Sequence, residues 1–245
     1  MSAFGVIMKG LYNQGQRKVM LKLECDKRTK EQAGVIKYMN TGGCGSVFGV
    51  DDSDFDQILA SSVQKLNIYN MAIQRLCVDE SDVKEINPVF LDGYFFDRFR
   101  FLGDAIVAKT ALVAGEGDNV GTYVKIGKDD LIRFSKYRLS CILFGKEQVY
   151  FYSYRFDLTN LNVREDTAEF FYKDIDSVEV VRKVNDRWID GKGCLGFLKG
   201  EYGTYTYPEL RITVPGNAFS CSMRTENEGA IIGLKNLIRT KRMDG

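Results

Sequence analysis

The clearest pattern of apolar and polar positions lies near the C-terminal end of the chain. Apolar residues recur there at the spacing of one helix face, at Ala230, Ile231, Leu234, Leu237 and Ile238. Thr225 and Glu228 precede them in a capping-box pattern, in which a hydroxyl and a carboxylate each satisfy a free backbone N–H. Basic residues follow, where the helix dipole is negative. This segment is therefore predicted to be an amphipathic helix.

A second helical pattern lies in the N-terminal third of the chain. Its apolar face consists of Phe55, Ile58, Leu59, Val63, Leu66, Ile73, Leu76 and Cys77. Asn67 and Asn70 weaken its middle and favour a bend or a break there. A strand over 19–24 and a short helix over 29–39 precede it, and an acidic segment ending in Pro88 follows it. We predict an N-terminal α/β region over residues 1–86 that contains this long amphipathic helix.

Beyond that boundary the apolar positions take the two-residue period of β-strands. The predicted strands cover residues 89–96, 132–144, 147–156, 168–172, 177–183, 210–214 and 218–223. Turn sequences join two pairs of them, at Gly145-Lys146 and at Pro215-Gly216-Asn217. Strands in this number followed by one helix are the element order of a pleckstrin-homology-like (PH-like) barrel. We predict an α+β protein whose residues 87–245 form a PH-like antiparallel β-barrel, capped by the C-terminal helix.

Several segments resemble a group of uncharacterised bacterial PH-like proteins. The resemblance rests on residues 165–175, on Val214-Pro215-Gly216 with residues 219–223, on the closing residues 237–241, and on the acidic stretch over 78–97. It covers about residues 75–245. The resemblance implies a split β-barrel and no catalytic residue.

Composition narrows the classes of function. The 34 basic and 33 acidic residues nearly cancel, which removes any global electrostatic case for binding nucleic acid or an anionic membrane. The chain has no histidine and so lacks the commonest general base and the commonest metal ligand. We expect no enzymatic activity, no catalytic residue, no metal and no cofactor.

The cysteines and the hydropathy pattern bear on location. No two of the six cysteines form a C-x-x-C pair, and the first residues do not resemble a secretory signal. No apolar run approaches the roughly 20 residues that cross a bilayer. These features favour free thiols and a cytoplasmic location.

Two motifs that suggest ligand chemistry fail on spacing. Asp52, Asp54 and Asp56 alternate like the start of an EF-hand loop, but Gln57 and Val63 stand where that loop needs glycine and glutamate. The glycine-rich residues 41–46 lack the lysine of a P-loop. Carboxylates at a helix N-terminus and a flexible connector are the simpler interpretations.

Three groups of residues are candidates for binding. Lys128, Arg133, Lys136 and Arg138 form the densest basic cluster, which could hold an anionic ligand or could be a solvated strand end. Trp188, Leu195, Phe197 and Tyr202 belong to or flank a glycine-rich excursion, which is either an interaction loop or a cover over the barrel. Tyr150, Tyr152, Tyr154 and Phe156 share one strand face, where core packing is favoured over stacking on nucleic-acid bases.

The sequence favours a non-enzymatic, cytoplasmic binding or scaffolding protein that recognises a protein or peptide partner. The first alternative is a peripheral membrane module that binds anionic lipid headgroups through the basic cluster. The second is an enzyme that depends on a cysteine or a carboxylate. No nucleic-acid partner is expected.

Overall fold

The computed structural model describes residues 22–23, 25–40, 50–95, 122–189 and 201–243. Its helices are α1 (Lys30–Asn40), α2 (Asp52–Gln64), α3 (Ile68–Leu76) and α4 (Glu228–Met243). Its strands are β1 (Val89–Tyr94), β2 (Val124–Ile126), β3 (Ile132–Phe134), β4 (Lys136–Phe144), β5 (Gln148–Asp157), β6 (Val163–Phe171), β7 (Ser177–Ile189), β8 (Glu201–Val214) and β9 (Asn217–Ser222). None of the helices in these ranges is long and apolar enough to span a bilayer.

The strands form separate antiparallel sheets. One sheet has the order β1-β4-β5-β6, a second has the order β7-β8-β9, and β2 pairs only with β3. Across the described ranges, no hydrogen-bonded strand pair joins the four-stranded to the three-stranded sheet. The prediction of a closed PH-like barrel is therefore wrong, although the protein is α+β. Alternation of apolar residues defines the faces of a strand but not its partners, so a barrel and two packed sheets give the same pattern.

The two sheets enclose the main core. Ile142, Phe144 and Phe151 of the first sheet belong to one buried cluster with Leu210 and Ile212 of the second. The Phe151 ring stacks on Phe219 of β9, with centroids 4.8 Å apart. Helix α4 adds three apolar side chains to the same cluster, Ile231, Leu234 and Ile238. The predicted C-terminal helix is thus present, and it packs on the core between the sheets instead of closing a barrel.

The predicted long helix is two helices in the structure, separated at the break that Asn67 and Asn70 favour. Helix α2 begins at a capping box between Asp51 and Asp54 and ends at Gln64. Helix α3 begins after Asn67, whose side chain accepts a hydrogen bond from the backbone N–H of Asn70. The break falls where the asparagines weaken the pattern, since an asparagine amide caps a new helix better than it continues an old one.

The N-terminal helices cover the outer face of the four-stranded sheet. Ala72 and Leu76 of α3 cluster with Cys141 and Leu143 of β4 and with Tyr152 of β5. Tyr150 and Tyr154 pack against the same cluster, which confirms the core role predicted for the tyrosines. These contacts cross residue 86, while the division into regions 1–86 and 87–245 stays a prediction. The predicted strand over 19–24 lies mostly outside the described residues, and Lys22 and Leu23 are helical.

An ion pair adds to this packing. Arg75 of α3 donates from Nε and Nη2 to the two carboxylate oxygens of Glu165 on β6, at 2.6 and 3.0 Å. The Tyr152 hydroxyl donates to the same carboxylate at 2.9 Å. The hydrogen bond from Arg75 is the main reason that the pKa of Glu165 lies below its usual range. Helix α3 is therefore held to the sheet by charge as well as by apolar contact.

Candidate functional site: a polar cleft between the sheets

The inner face of the four-stranded sheet changes character along its length. On β4, Phe144 and Ile142 face the core, and the same face continues as Ser140 and Arg138, because alternate residues of a strand share a face. On β5 the corresponding change leads from Phe151 to residues 153 and 155, a serine and an arginine. The apolar core therefore gives way to polar side chains at one end.

A cleft of about 400 Å³ lies at this polar end. Residues of both sheets line it, from β4, β5 and β6 on one side and from β8 and β9 on the other. The residues that line it include Phe95, Arg138, Ser153, Arg155, Asp166, Tyr207, Glu209, Asn217, Ala218, Ser220 and Ser222. The cleft has the size of a site for a small ligand or for part of a larger one.

Two arginines face each other at the base of the cleft. Arg138 and Arg155 are Cα partners on the neighbouring strands β4 and β5. Both guanidinium groups lie over the ring of Phe95, with their Cζ atoms 5.2 and 5.8 Å from its centroid. Like charges directly opposite on adjacent strands are destabilising unless each has a counter-charge. What the cleft can bind therefore depends on whether each arginine has a counter-charge nearby.

The charge of Arg155 is compensated. Its Nε donates to Asp166 Oδ2 at 2.9 Å, and its Nη2 makes a second short contact with the same oxygen. Asp166 also accepts from Arg164 Nε at 3.0 Å. Burial raises the pKa of Asp166, but the hydrogen bonds and charges of Arg155 and Arg164 outweigh it, and the pKa lies below its usual value. Asp166 is thus ionised at neutral pH and neutralises Arg155.

The charge of Arg138 is compensated far less well. Only 8% of this residue is exposed, and its Nη1 donates to the backbone oxygen of Ser220 at 3.0 Å. The Oε1 atom of Glu209 lies 3.9 Å from Nη1, which is too far for a hydrogen bond. The buried Nε of Arg138 has no hydrogen-bond partner within the described residues. Burial, followed by the charge of Arg155, lowers the pKa of Arg138.

This arrangement favours binding of an anion. A buried cation whose nearest carboxylate lies beyond hydrogen-bonding distance is costly, and an anion that enters the cleft would remove part of that cost. The donors are already in place, since the Arg138 side chain is held by Ser220 and by the Phe95 ring. The cleft can therefore hold a negatively charged ligand.

The structure does not bring the four predicted basic residues together. Arg138 lines the cleft, whereas Arg133 is buried beside Asp56 and Asp129. Lys128 is exposed on the turn between β2 and β3, where its backbone N–H donates to Asp52 Oδ2 at 2.6 Å. Lys136 is half-buried on β4. Of the four, Arg138 is the one that the structure places at an anion-receptive site.

The predicted interaction loop lies largely outside what the structure describes. Trp188 on β7 and Tyr202 on β8 are Cα partners at one end of the three-stranded sheet. Leu195 and Phe197 fall outside the described residues. The choice between an interaction loop and a cover stays a prediction.

Sequence reasoning missed Arg155, Asp166, Glu209 and Phe95. A signal for Arg155 was present, because a hairpin around Gly145-Lys146 puts residues 138 and 155 opposite each other. Glu209 and Phe95 have no such signal, since they reach the cleft from a different sheet and from beyond the end of β1. Elsewhere in the described ranges, no group of three or more cysteine, aspartate or glutamate side chains is placed to hold a metal ion.

A scan against protein-family models, a search of curated proteins and a search of solved structures each found no match. The resemblance to bacterial PH-like proteins therefore stays a prediction.

Proposed function

We propose that the protein is a non-enzymatic binding module that recognises part of a protein or peptide partner in the cleft between its two sheets. The observation that supports this most is Arg138, a buried arginine that lines a cleft of about 400 Å³ and whose guanidinium makes a single hydrogen bond within the described residues. Buried polar groups in folded proteins are almost always paired, so a guanidinium with so few partners at the wall of a cleft suggests a ligand.

The lining suits a peptide segment. Serine hydroxyls and backbone groups of β9 supply hydrogen bonds, and the rings of Phe95 and Tyr207 supply apolar contact. Ala218, at the exposed edge of the cleft, leaves its mouth open to a chain that extends beyond it. A few residues of a partner could enter while the rest stays outside.

The proposal includes a cytoplasmic location. Cys25, Cys77, Cys141 and Cys221 form no disulfide bond, as is usual in a reducing compartment. The membrane alternative has less support, because Arg133 is paired with two carboxylates and Arg138 lies in a cleft, which leaves fewer charges for a lipid surface. Salt-sensitive sedimentation of the protein with anionic vesicles would favour that alternative.

A random-peptide display library tests the proposal. Ala218→Trp fills the mouth of the cleft from an exposed position, and Ala230→Trp makes the same change on the exposed surface of α4 as a matched control. We expect enriched peptides to bind the wild type and Ala230→Trp equally and to lose about tenfold or more in affinity for Ala218→Trp. Peptides that bind all three proteins alike, or a library without any enriched peptide, would overturn the proposal.

A further inference from the structure

The charges in the cleft are unevenly paired, and this difference points to one class of ligand. Arg155 has a carboxylate in direct contact, whereas Arg138 has only a carbonyl oxygen and a carboxylate 3.9 Å away. Arg138 is thus the guanidinium of the cleft that has no carboxylate within hydrogen-bonding distance. Resting on the function proposed above, we infer that the cleft binds a carboxylate of the partner peptide, held by Arg138.

The geometry of a guanidinium supports this inference. Its five N–H groups form a planar fork that matches the two oxygens of a carboxylate. On Arg138, Nη1 is occupied by Ser220 O, and Nε has no partner in the described part of the chain. Because Nε itself is covered by the protein, a ligand in the cleft would accept from the part of the Arg138 side chain that reaches the surface. The side chain is already rigid, so binding would cost little conformational entropy.

The other charges in the cleft argue for a carboxylate over a phosphate. Asp166 and Glu209 line the same cavity, and each carries a negative charge when ionised. A phosphate monoester has close to two negative charges at neutral pH, so it would be repelled by both carboxylates. A carboxylate carries one charge, which matches the single poorly compensated cation. The carboxylates of the cleft therefore repel a singly charged ligand less than they repel a phosphate.

Phe95 and Ser220 contribute to position. The Phe95 ring packs against both guanidinium groups. Ser220 fixes the other end of the guanidinium through its carbonyl oxygen. These two contacts hold Arg138 in place at the wall of the cleft.

Four defined probes test the inference by NMR titration. They are N-acetyl-trialanine with a free C-terminal carboxylate, the same peptide as its C-terminal amide, N-acetyl-Ala-Glu-Ala amide, and inorganic phosphate. The Nε–H resonance of Arg138, assigned by its loss in Arg138→Gln, reports on ligand contact elsewhere on the same guanidinium. We expect at least one carboxylate peptide to shift this resonance and to bind about tenfold or more tightly than the trialanine amide. The first and third probes distinguish a chain terminus from an acidic side chain as the source.

Variants separate binding from folding. Arg138→Gln should weaken binding of the carboxylate peptide by about tenfold or more, while Arg239→Gln on the exposed surface of α4 should leave it unchanged. Because Arg138→Gln removes a buried contact, its backbone amide spectrum must match that of the wild type. Ala218→Trp provides a second route, since it blocks the cleft without changing Arg138.

The outcomes distinguish this inference from the proposed function. If the acid and the amide bind equally and Ala218→Trp removes both, the cleft recognises peptides but not a carboxylate. Tighter binding of phosphate than of either carboxylate peptide would also overturn the inference, as would a carboxylate peptide that leaves the Arg138 Nε–H resonance unmoved. No binding of any probe, with library peptides still enriched and sensitive to Ala218→Trp, would overturn the carboxylate and leave the proposed function standing.

Discussion

Arg133 holds Asp56 through two hydrogen bonds across 77 residues of sequence. Its Nε donates to Oδ1 at 2.8 Å and its Nη2 to Oδ2 at 2.6 Å. Arg133 belongs to β3 and is 3% exposed, while Asp56 belongs to α2. Asp129 adds two further hydrogen bonds to the same guanidinium, at 2.8 and 2.7 Å. This cluster fixes the small β2–β3 sheet to the N-terminal helices.

Replacing Arg133 should destabilise the protein markedly. Arg133→Met removes the shared partner of Asp56 and Asp129 and leaves two adjacent carboxylates to repel each other. We expect the free energy of unfolding to fall by about 2–3 kcal/mol, measured by urea denaturation at neutral pH. Arg239→Met, the same change at an exposed position of α4, is the control and should have little effect. Equal stabilities of the two variants would show that the cluster contributes nothing net.

The same cluster should make stability depend on pH in the acid range. The hydrogen bond from Arg133 holds the pKa of Asp129 well below its usual value. A carboxylate whose pKa is lower in the folded state contributes stability above its unfolded pKa and loses it as the pH falls through its folded pKa. We therefore expect the free energy of unfolding to fall more steeply in the wild type than in Arg133→Met, from about pH 5 down to about pH 2. Urea titrations across this range would give parallel curves if the pairing were absent.

Local features of this fold could be predicted from sequence. Pro215 and Gly216 connect β8 to β9, and Gly216 has a φ of 77°, a value that the turn requires and that glycine adopts freely. The β4–β5 hairpin around Gly145 and the C-terminal helix were also predictable. Each of these depends on residues close together in the chain, where turn chemistry and periodicity act directly.

The pairing of sheets and charges could not be predicted in the same way. Nothing in the alternation of β6 and β7 shows that the chain passes from one sheet to another between them. Arg138 was a candidate for anion binding, but its environment depends on Phe95, Glu209 and Ser220, which come from three other parts of the chain. A sequence shows that a charge exists, while its compensation is decided by the tertiary structure.

The cysteines should differ widely in reactivity. Burial raises the pKa of Cys141 and of Cys221 to about 12, so almost none of either thiol is ionised near neutral pH. Cys77 is exposed at the end of α3. We expect iodoacetamide at about pH 8 to alkylate Cys77 about a hundredfold or more faster than the two buried thiols.

Peptide mapping by mass spectrometry measures each cysteine separately, and Cys77→Ser provides the control. In that variant Cys141 and Cys221 should stay unlabelled until the protein is unfolded in urea. Faster labelling of either one than of Cys77 in the native protein would contradict the packing of the core. It would also favour the cysteine-dependent enzyme over a binding module.

A single methyl group at Gly93 should test the contact between β1 and the end of β9. A Cβ atom at this position would lie 3.1 Å from the backbone N and C of Met223. Met223 cannot move away easily, because its backbone N–H donates to Pro208 O at 3.2 Å and its side chain is buried in the core. We expect Gly93→Ala to lower the free energy of unfolding by about 1–3 kcal/mol in urea denaturation.

Gly233→Ala is the matched control, since nothing lies within 4 Å of its added Cβ on α4, and alanine there should stabilise the helix by about 0.5–1 kcal/mol. If both substitutions change the free energy of unfolding in the same direction, the close contact at Gly93 and the helix propensity at Gly233 do not explain their effects.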